Sequence, residues 1–103
     1  MDQEGADPDF TAVAAVEGGR VVVTVTGEVD MSTADAMFRA ATKDASPAAV
    51  LDLRAVTFFD SAAIHALLRL AEHYGERLTV LPSPQVRRVL EISGLSTQPW
   101  LSD

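Results

Sequence analysis

The hydrophobic period changes abruptly across Val50 to Ile64, and this change limits the folds open to the chain. The run Val50-Leu51-Asp52-Leu53-Arg54-Ala55-Val56-Thr57-Phe58-Phe59-Asp60-Ser61-Ala62-Ala63-Ile64 starts with strand-like alternation and ends in helical spacing. A strand, a short turn and a helix starting at Asp60-Ser61 are predicted. Such a unit is half of a strand-helix-strand crossover, which pairs its strands in parallel with right-handed connections. It also sets a hydroxyl at the positive end of a helix, where an anion is stabilised. A serine there is either a helix cap or a place to write a phosphate.

The remaining elements follow from the same two periods. Phe10 to Val16 reads as a strand closed by Glu17-Gly18-Gly19, and Val21 to Thr26 as its hairpin partner. That second strand is expected to end at Gly27, with Glu28 to Met31 as a loop. A helix then begins near Ser32 or Thr33, either of which can cap it, with Ala34, Met37, Phe38 and Ala41 as its apolar stripe. A third strand spans about Ala49 to Leu53. In the helix after Ser61, Ile64, Leu67, Leu68, Ala71 and Tyr74 make the inward stripe, and His65, Arg69, Glu72, His73 and Glu76 the polar face. Leu78 to Leu81 is a fourth strand. Ser83-Pro84 then opens a helix with Val86, Val89 and Leu90 on its apolar side. Trp100 and Leu101 are expected to pack against the domain.

The order β-β-α-β-α-β-α defines an α/β domain with a small mixed sheet of about four strands and helices on one face. Residues 1–9 carry four acids and no base and read as a solvated arm; residues 10–103 form the domain. At 103 residues and 48% hydrophobic content, one core is expected.

Charge and composition exclude several functions. Fifteen acidic against eight basic residues give a net charge of −7, which repels nucleic acid. There is no Cys, hence no disulfide and no thiolate metal site. No signal-peptide order and no run of roughly 20 apolar residues occur, so a cytoplasmic protein without membrane insertion is expected. Ser61 and His65 lie four apart, but Gly does not flank the serine as a nucleophile elbow requires. No Gly-rich phosphate loop is present. His65 and His73 are eight apart with only Glu72 near, so neither a metal nor a cofactor is expected. Glu28 and Asp30 share a loop without marking a substrate pocket. No motif here marks an enzymatic reaction.

Three segments together resemble one family. Gly27-Glu28-Val29-Asp30 with Thr33, Leu51-Asp52-Leu53 followed by Val56 to Ser61, and Ser83 to Leu95 are similar, in order and spacing, to the signatures of STAS domains. The resemblance leans to the anti-sigma factor antagonist branch. It implies a binding module rather than an enzyme, whose unmodified form binds an anti-sigma factor that is also a serine kinase, releasing a sigma factor. Ser61 matches the phosphoacceptor, and a PP2C-type phosphatase would restore the unmodified form. The implied partner surface comprises Glu28, Asp30, Thr33, Asp60, Ala62, Ala63 and Ile64. The family usually continues after the serine with Ser or Thr and then Gly. Here Ala62-Ala63 follow, and their methyl groups are expected to occupy space a kinase would approach. A non-phosphorylated STAS subunit of a bacterial lipid ABC transporter, or a signalling scaffold, is the alternative.

Overall fold

The computed structural model describes residues 2–7 and 9–102. Two neighbouring glycines, Gly18 and Gly19, both at positive φ, reverse the chain between β2 (Phe10–Glu17) and β3 (Arg20–Val29). Such a two-residue turn matches the twist of its strands and needs residues without a Cβ penalty. From β3 onward the chain alternates: α1 (Ala34–Thr42), β4 (Ala48–Phe59), α2 (Ser61–Tyr74), a 3-10 turn at Gly75–Arg77, β5 (Leu78–Pro82) and α3 (Pro84–Ile92). β2 and β3 are antiparallel; β3, β4 and β5 are mutually parallel. The mixed sheet and three helices expected from the periodicities are therefore present.

The sheet gains one edge strand. Residues 2–7, expected as a solvated arm, form β1 (Asp2–Asp7), antiparallel to β2. The outer edge of β2 presents a row of unpaired backbone groups, a template that an extended segment completes whatever its side chains. The sheet order is β1-β2-β3-β4-β5.

β3 and β4 also run longer than expected. Residues 28–29 belong to β3, and 54–59, read as a turn, belong to β4. The pairing explains why. Thr24 pairs with Asp52 but Thr26 with Ala55, and Gly27 pairs with Val56 but Glu28 with Phe58, so β4 carries an extra residue twice. Each bulge resets which side chain faces inward. The buried positions on β4 therefore fall at Ala49, Leu51, Leu53, Val56 and Phe59, a spacing that stops looking like a strand after Leu53.

One face of the sheet is buried. Phe10, Val21, Val23, Val25, Leu51, Leu53, Val56 and Val80 meet Met37, Leu67, Leu70, Val86 and Leu90 from the helices. Each such aliphatic or aromatic side chain contributes about 1.5–3 kcal/mol by leaving water. On the opposite face Val22, Thr24, Val50 and Thr79 stay partly or fully exposed. There Asp52 accepts from Arg54 Nε at 3.0 Å and Nη2 at 2.8 Å. The guanidinium hydrogen bond holds the Asp52 carboxyl below its usual range. Asp52 is thus a paired residue of the open face, remote in the fold from the end of β4.

The helix ends match their chemistry. Ser83 Oγ accepts from the Val86 N–H at 3.1 Å, with Pro84 at the first position of α3. Tyr74 near the end of α2 donates its hydroxyl to the Ala41 carbonyl, tying α2 to α1. The last residues return to the sheet. Val80 N–H donates to the Trp100 carbonyl at 2.8 Å, and Ser102 N–H donates to the Val80 carbonyl at 2.9 Å. Trp100 is buried and Leu101 half-buried, as expected.

Candidate functional site

Because β3 and β4 are parallel and Val29 pairs with Phe59, both strands end at the same rim of the sheet. The two candidate loops therefore meet there. The Asp60 N–H donates to the Val29 carbonyl at 3.3 Å, joining the start of α2 to the start of the 30–33 turn.

Asp60 has extended backbone and its carboxylate accepts from the Ala63 N–H at 3.0 Å. It is the N-cap of α2. Ser61 is the first helical residue and is exposed. The capping role considered for Ser61 thus belongs to its neighbour. Two adjacent residues could both cap, and the longer reach of the carboxylate from one position earlier closes the ring to the third residue of the helix. Ser61 projects its hydroxyl outward from the positive end of the helix.

The facing turn is held by its own side chains. Asp30 Oδ1 accepts from Ser32 N–H at 2.9 Å and Ser32 Oγ at 2.7 Å, with Thr33 Oγ1 at 3.2 Å. Thr33 Oγ1 accepts from the Asp30 N–H at 2.9 Å and lies 3.0 Å from the Glu28 carbonyl. The Ser32 hydroxyl, followed by its N–H and by Thr33, holds the Asp30 carboxyl below the usual carboxylate range. Asp30 is therefore ionised at neutral pH. Thr33 is the N-cap residue of α1, yet its side chain makes no capping bond; its hydroxyl serves the turn behind it. Thr33 is buried, so it shapes the Asp30 turn rather than facing a partner.

Upstream of that turn, Gly27 has φ +87°, and a Cβ there would lie 1.8 Å from the Asp9 carbonyl oxygen. The Glu28 N–H donates to the same oxygen at 2.6 Å. The glycine permits this close approach and so fixes where Glu28 and Asp30 emerge.

The surface around Ser61 is set by α2. Its buried positions are Ala63, Ala66, Leu67, Leu70 and Tyr74. The inward stripe is rotated from the expected one: Ile64 packs half-buried at the core's margin and Leu68 turns out. Leu68 is 41% exposed. Ser61, Ile64, His65, Leu68, Arg69 and Glu72 line an open groove of about 420 Å³. Beside it, Met31, Asp35, Ala62, His65 and Arg69 border a smaller one of about 210 Å³ between α1 and α2. Met31 is 85% exposed at its mouth. Arg69 stacks on the Phe38 ring, 4.0 Å from its centroid, and lies 4.0 Å from Asp35 Oδ1.

These positions sort the expected site residues. Glu28, Asp60, Ser61 and Ile64 are exposed or half-exposed near one rim, with Asp30 beside them. Ala62 is half-buried and borders the smaller groove. Ala63 is fully buried: its methyl packs in the core and offers nothing to a partner. It also leaves unchanged the space from which a kinase would approach. Met31, Phe58 and Leu68, exposed apolar residues near the same rim or groove, were not expected at the site. The signal for Leu68 was present, since Ile64 and Leu68 at i, i+4 form a stripe distinct from Ala63, Ala66, Leu67 and Leu70.

Among the described residues no cluster of three or more His, Asp or Glu could hold a metal ion. Among the same residues no helix is long and apolar enough to cross a membrane.

The family model described as "Mlab, STAS domain" matches residues 13–102. The chain belongs to the STAS domain family. Among solved structures, an anti-sigma factor antagonist from Mycobacterium paratuberculosis matches with TM-score 0.78 and 34% identity, over 93% of this chain and 88% of that one. The Bacillus cell fate determinant SpoIIAA in its phosphorylated form matches with TM-score 0.66 and 25% identity, over 91% and 89%. The anti-sigma factor antagonist SpoIIAA in its unphosphorylated form shares the fold, with TM-score 0.74 and 24% identity over 89% and 86%. Comparison with curated proteins gives no match.

Proposed function

We propose that this chain is an anti-sigma factor antagonist. Its unmodified form binds an anti-sigma factor with serine-kinase activity and so releases a sigma factor; phosphorylation of Ser61 ends the binding. One observation carries this reading: Ser61 is exposed at the first residue of α2 while Asp60 does the capping. A hydroxyl without a structural duty can be modified at little cost to the fold. The similarity to an antagonist at 34% identity supports the same reading.

The chemistry of the switch is electrostatic. The kinase transfers the γ-phosphoryl group of ATP to Ser61 Oγ; ADP leaves and the hydroxyl proton passes to the kinase. The phosphoserine brings roughly −1.5 to −2 charges and three strong acceptors. Asp60 is adjacent and the ionised Asp30 is in the joined turn. Before modification, the apolar residues Ile64, Leu68 and Met31 offer contact area to a partner. Afterwards a hydrated dianion sits at their edge, and burying it against a partner becomes costly. A PP2C-type phosphatase hydrolyses the ester and resets the surface.

The test is incubation with the cognate anti-sigma factor and ATP. The expected result is a mass shift of one phosphate, absent in Ser61→Ala, with loss of the complex on modification. A shift that persists in Ser61→Ala, or a phosphorylated protein that binds as tightly as before, overturns the reading.

A second reading keeps the family and drops the phosphate: a STAS subunit bound to the ATPase of a bacterial lipid transporter. The replacement of the usual Ser or Thr by the half-buried Ala62 favours it. Co-purification distinguishes the two by which protein is retained, an anti-sigma factor or a transporter ATPase.

A further inference from the structure

His65 lies one helical turn after Ser61 on α2, and both line the same open groove. Side chains on a helix tilt toward its N-terminus, so the residue at i+4 leans back over residue i. His65 and Arg69 line both grooves that flank the rim, and both are exposed. Arg69 stacks on the Phe38 ring and reaches Asp35 Oδ1 only at 4.0 Å, so its charge is not closely neutralised by that carboxylate. In a chain of net charge −7, two basic side chains thus line the same groove as the hydroxyl that the proposed function modifies, His65 one turn and Arg69 two turns along α2.

We propose that His65, backed by Arg69, is an intramolecular receiving site for a phosphate carried on Ser61. The inference rests on the reading of Ser61 as phosphoacceptor and adds what happens to the phosphate afterwards. The ester oxygens are held against the His65 ring N–H along the α2 surface, over the groove that Ile64 and Leu68 border. The phosphate therefore covers the apolar stripe rather than standing away from it, which links the modification to loss of partner contact. The charged groups facing His65 are Arg69 and Glu72 along α2 and Asp35 from α1, with Asp60 at the helix start. Three of these four are acidic and oppose a dianion, so the two bases decide whether it is held.

The consequence is read on the phosphate itself. A nearby cation favours the dianion and lowers the second ionisation of phosphoserine from its ordinary value of about 6. The experiment uses the full chain with phosphoserine installed at position 61 by genetic encoding, so that no kinase is needed. The phosphorus resonance is followed against pH by NMR in the wild-type background and in His65→Gln, Arg69→Gln and His73→Gln. His73 lies eight residues further on, with its ring edge-on to Tyr74, and serves as the control. The expected midpoint in the wild-type background is roughly half a unit below that in His65→Gln, with Arg69→Gln in between and His73→Gln unchanged. Near-ultraviolet circular dichroism checks that each variant is folded. Coincident titrations in wild type and His65→Gln overturn the proposal. Should a kinase fail to modify Ser61 while the titrations still separate, the functional reading falls and the receiving site stands.

Discussion

The N–H of Asp60 donates to the carbonyl of Val29, and this bond binds the two signature segments into one rim. One segment supplies the ordered Asp30 turn; the other supplies the capped start of α2. Charge, hydroxyl and exposed apolar side chains are then presented together at the ends of parallel strands, where α/β folds gather their binding residues.

The division of labour between Asp60 and Ser61 is measurable. Asp60→Ala removes the acceptor for the Ala63 N–H and is expected to cost about 1 kcal/mol. Ser61→Ala is expected to stay within about 0.5 kcal/mol of wild type, as for an exposed residue without a structural partner. Urea unfolding of both variants checks this. Equal losses would return the cap to Ser61.

Gly27 is a structural member of its signature. Gly27→Ala drives a methyl group into the Asp9 carbonyl and strains a positive φ, with an expected cost on the order of 3 kcal/mol. Gly18→Ala meets open space and bears only the strain of its positive φ, about 1 kcal/mol. Thermal unfolding of the pair compares steric clash with backbone strain. A Gly27→Ala variant as stable as Gly18→Ala would contradict the close approach.

Under the proposed function, Leu68 on the outer side of α2 is expected to serve binding more than folding. Leu68→Ser is expected to change stability by no more than about 0.5 kcal/mol while weakening the proposed anti-sigma factor complex roughly tenfold. Met31→Ser should behave likewise. Calorimetric titration with the partner reads the affinity, and unchanged affinity in both variants would remove the stripe from the interface. Leu67→Ala, one position away and fully buried, should instead cost about 3 kcal/mol of stability.

The acid limb of stability has two identifiable sources. The Asp30 carboxyl is lowered by Ser32 and Thr33, and that of Asp52 by Arg54. A carboxyl depressed in the folded state contributes stability that is present above its unfolded value and lost as pH falls through the folded one. Melting temperature should therefore fall below about pH 4. Asp30→Asn and Asp52→Asn should each flatten that fall. At the alkaline end Tyr74 is raised, by burial first and then by Asp44. Its contribution is present below about pH 10 and lost as pH rises through the folded value, a loss that Tyr74→Phe should abolish.

The legible part of this molecule was the part with unbroken periodicity. Four strands, three helices, the Gly18-Gly19 turn and the Ser83-Pro84 helix start could all be read from spacing. What failed had local causes. Two bulges shift the inward positions of β4 after Leu53, so a strand to Phe59 looked like a turn. Leu68 is as hydrophobic as Leu67 and Leu70, and only packing against α1 and the sheet decides which of them turns in. Asp60 and Ser61 are equally good caps by type, and backbone geometry chooses between them. Residues 2–7 pair through backbone groups, which residue identities barely disclose.

The segment around Trp100 has a consequence for how this domain meets copies of itself. Its hydrogen bonds with Val80 occupy the outer side of β5, so that border of the sheet is no longer a long row of waiting donors and acceptors. β1 forms the other border. A sheet with one border closed can be extended from one side only. Strand pairing at the β5 border is therefore expected to require displacing residues 100–102 first, and their removal would reopen that border.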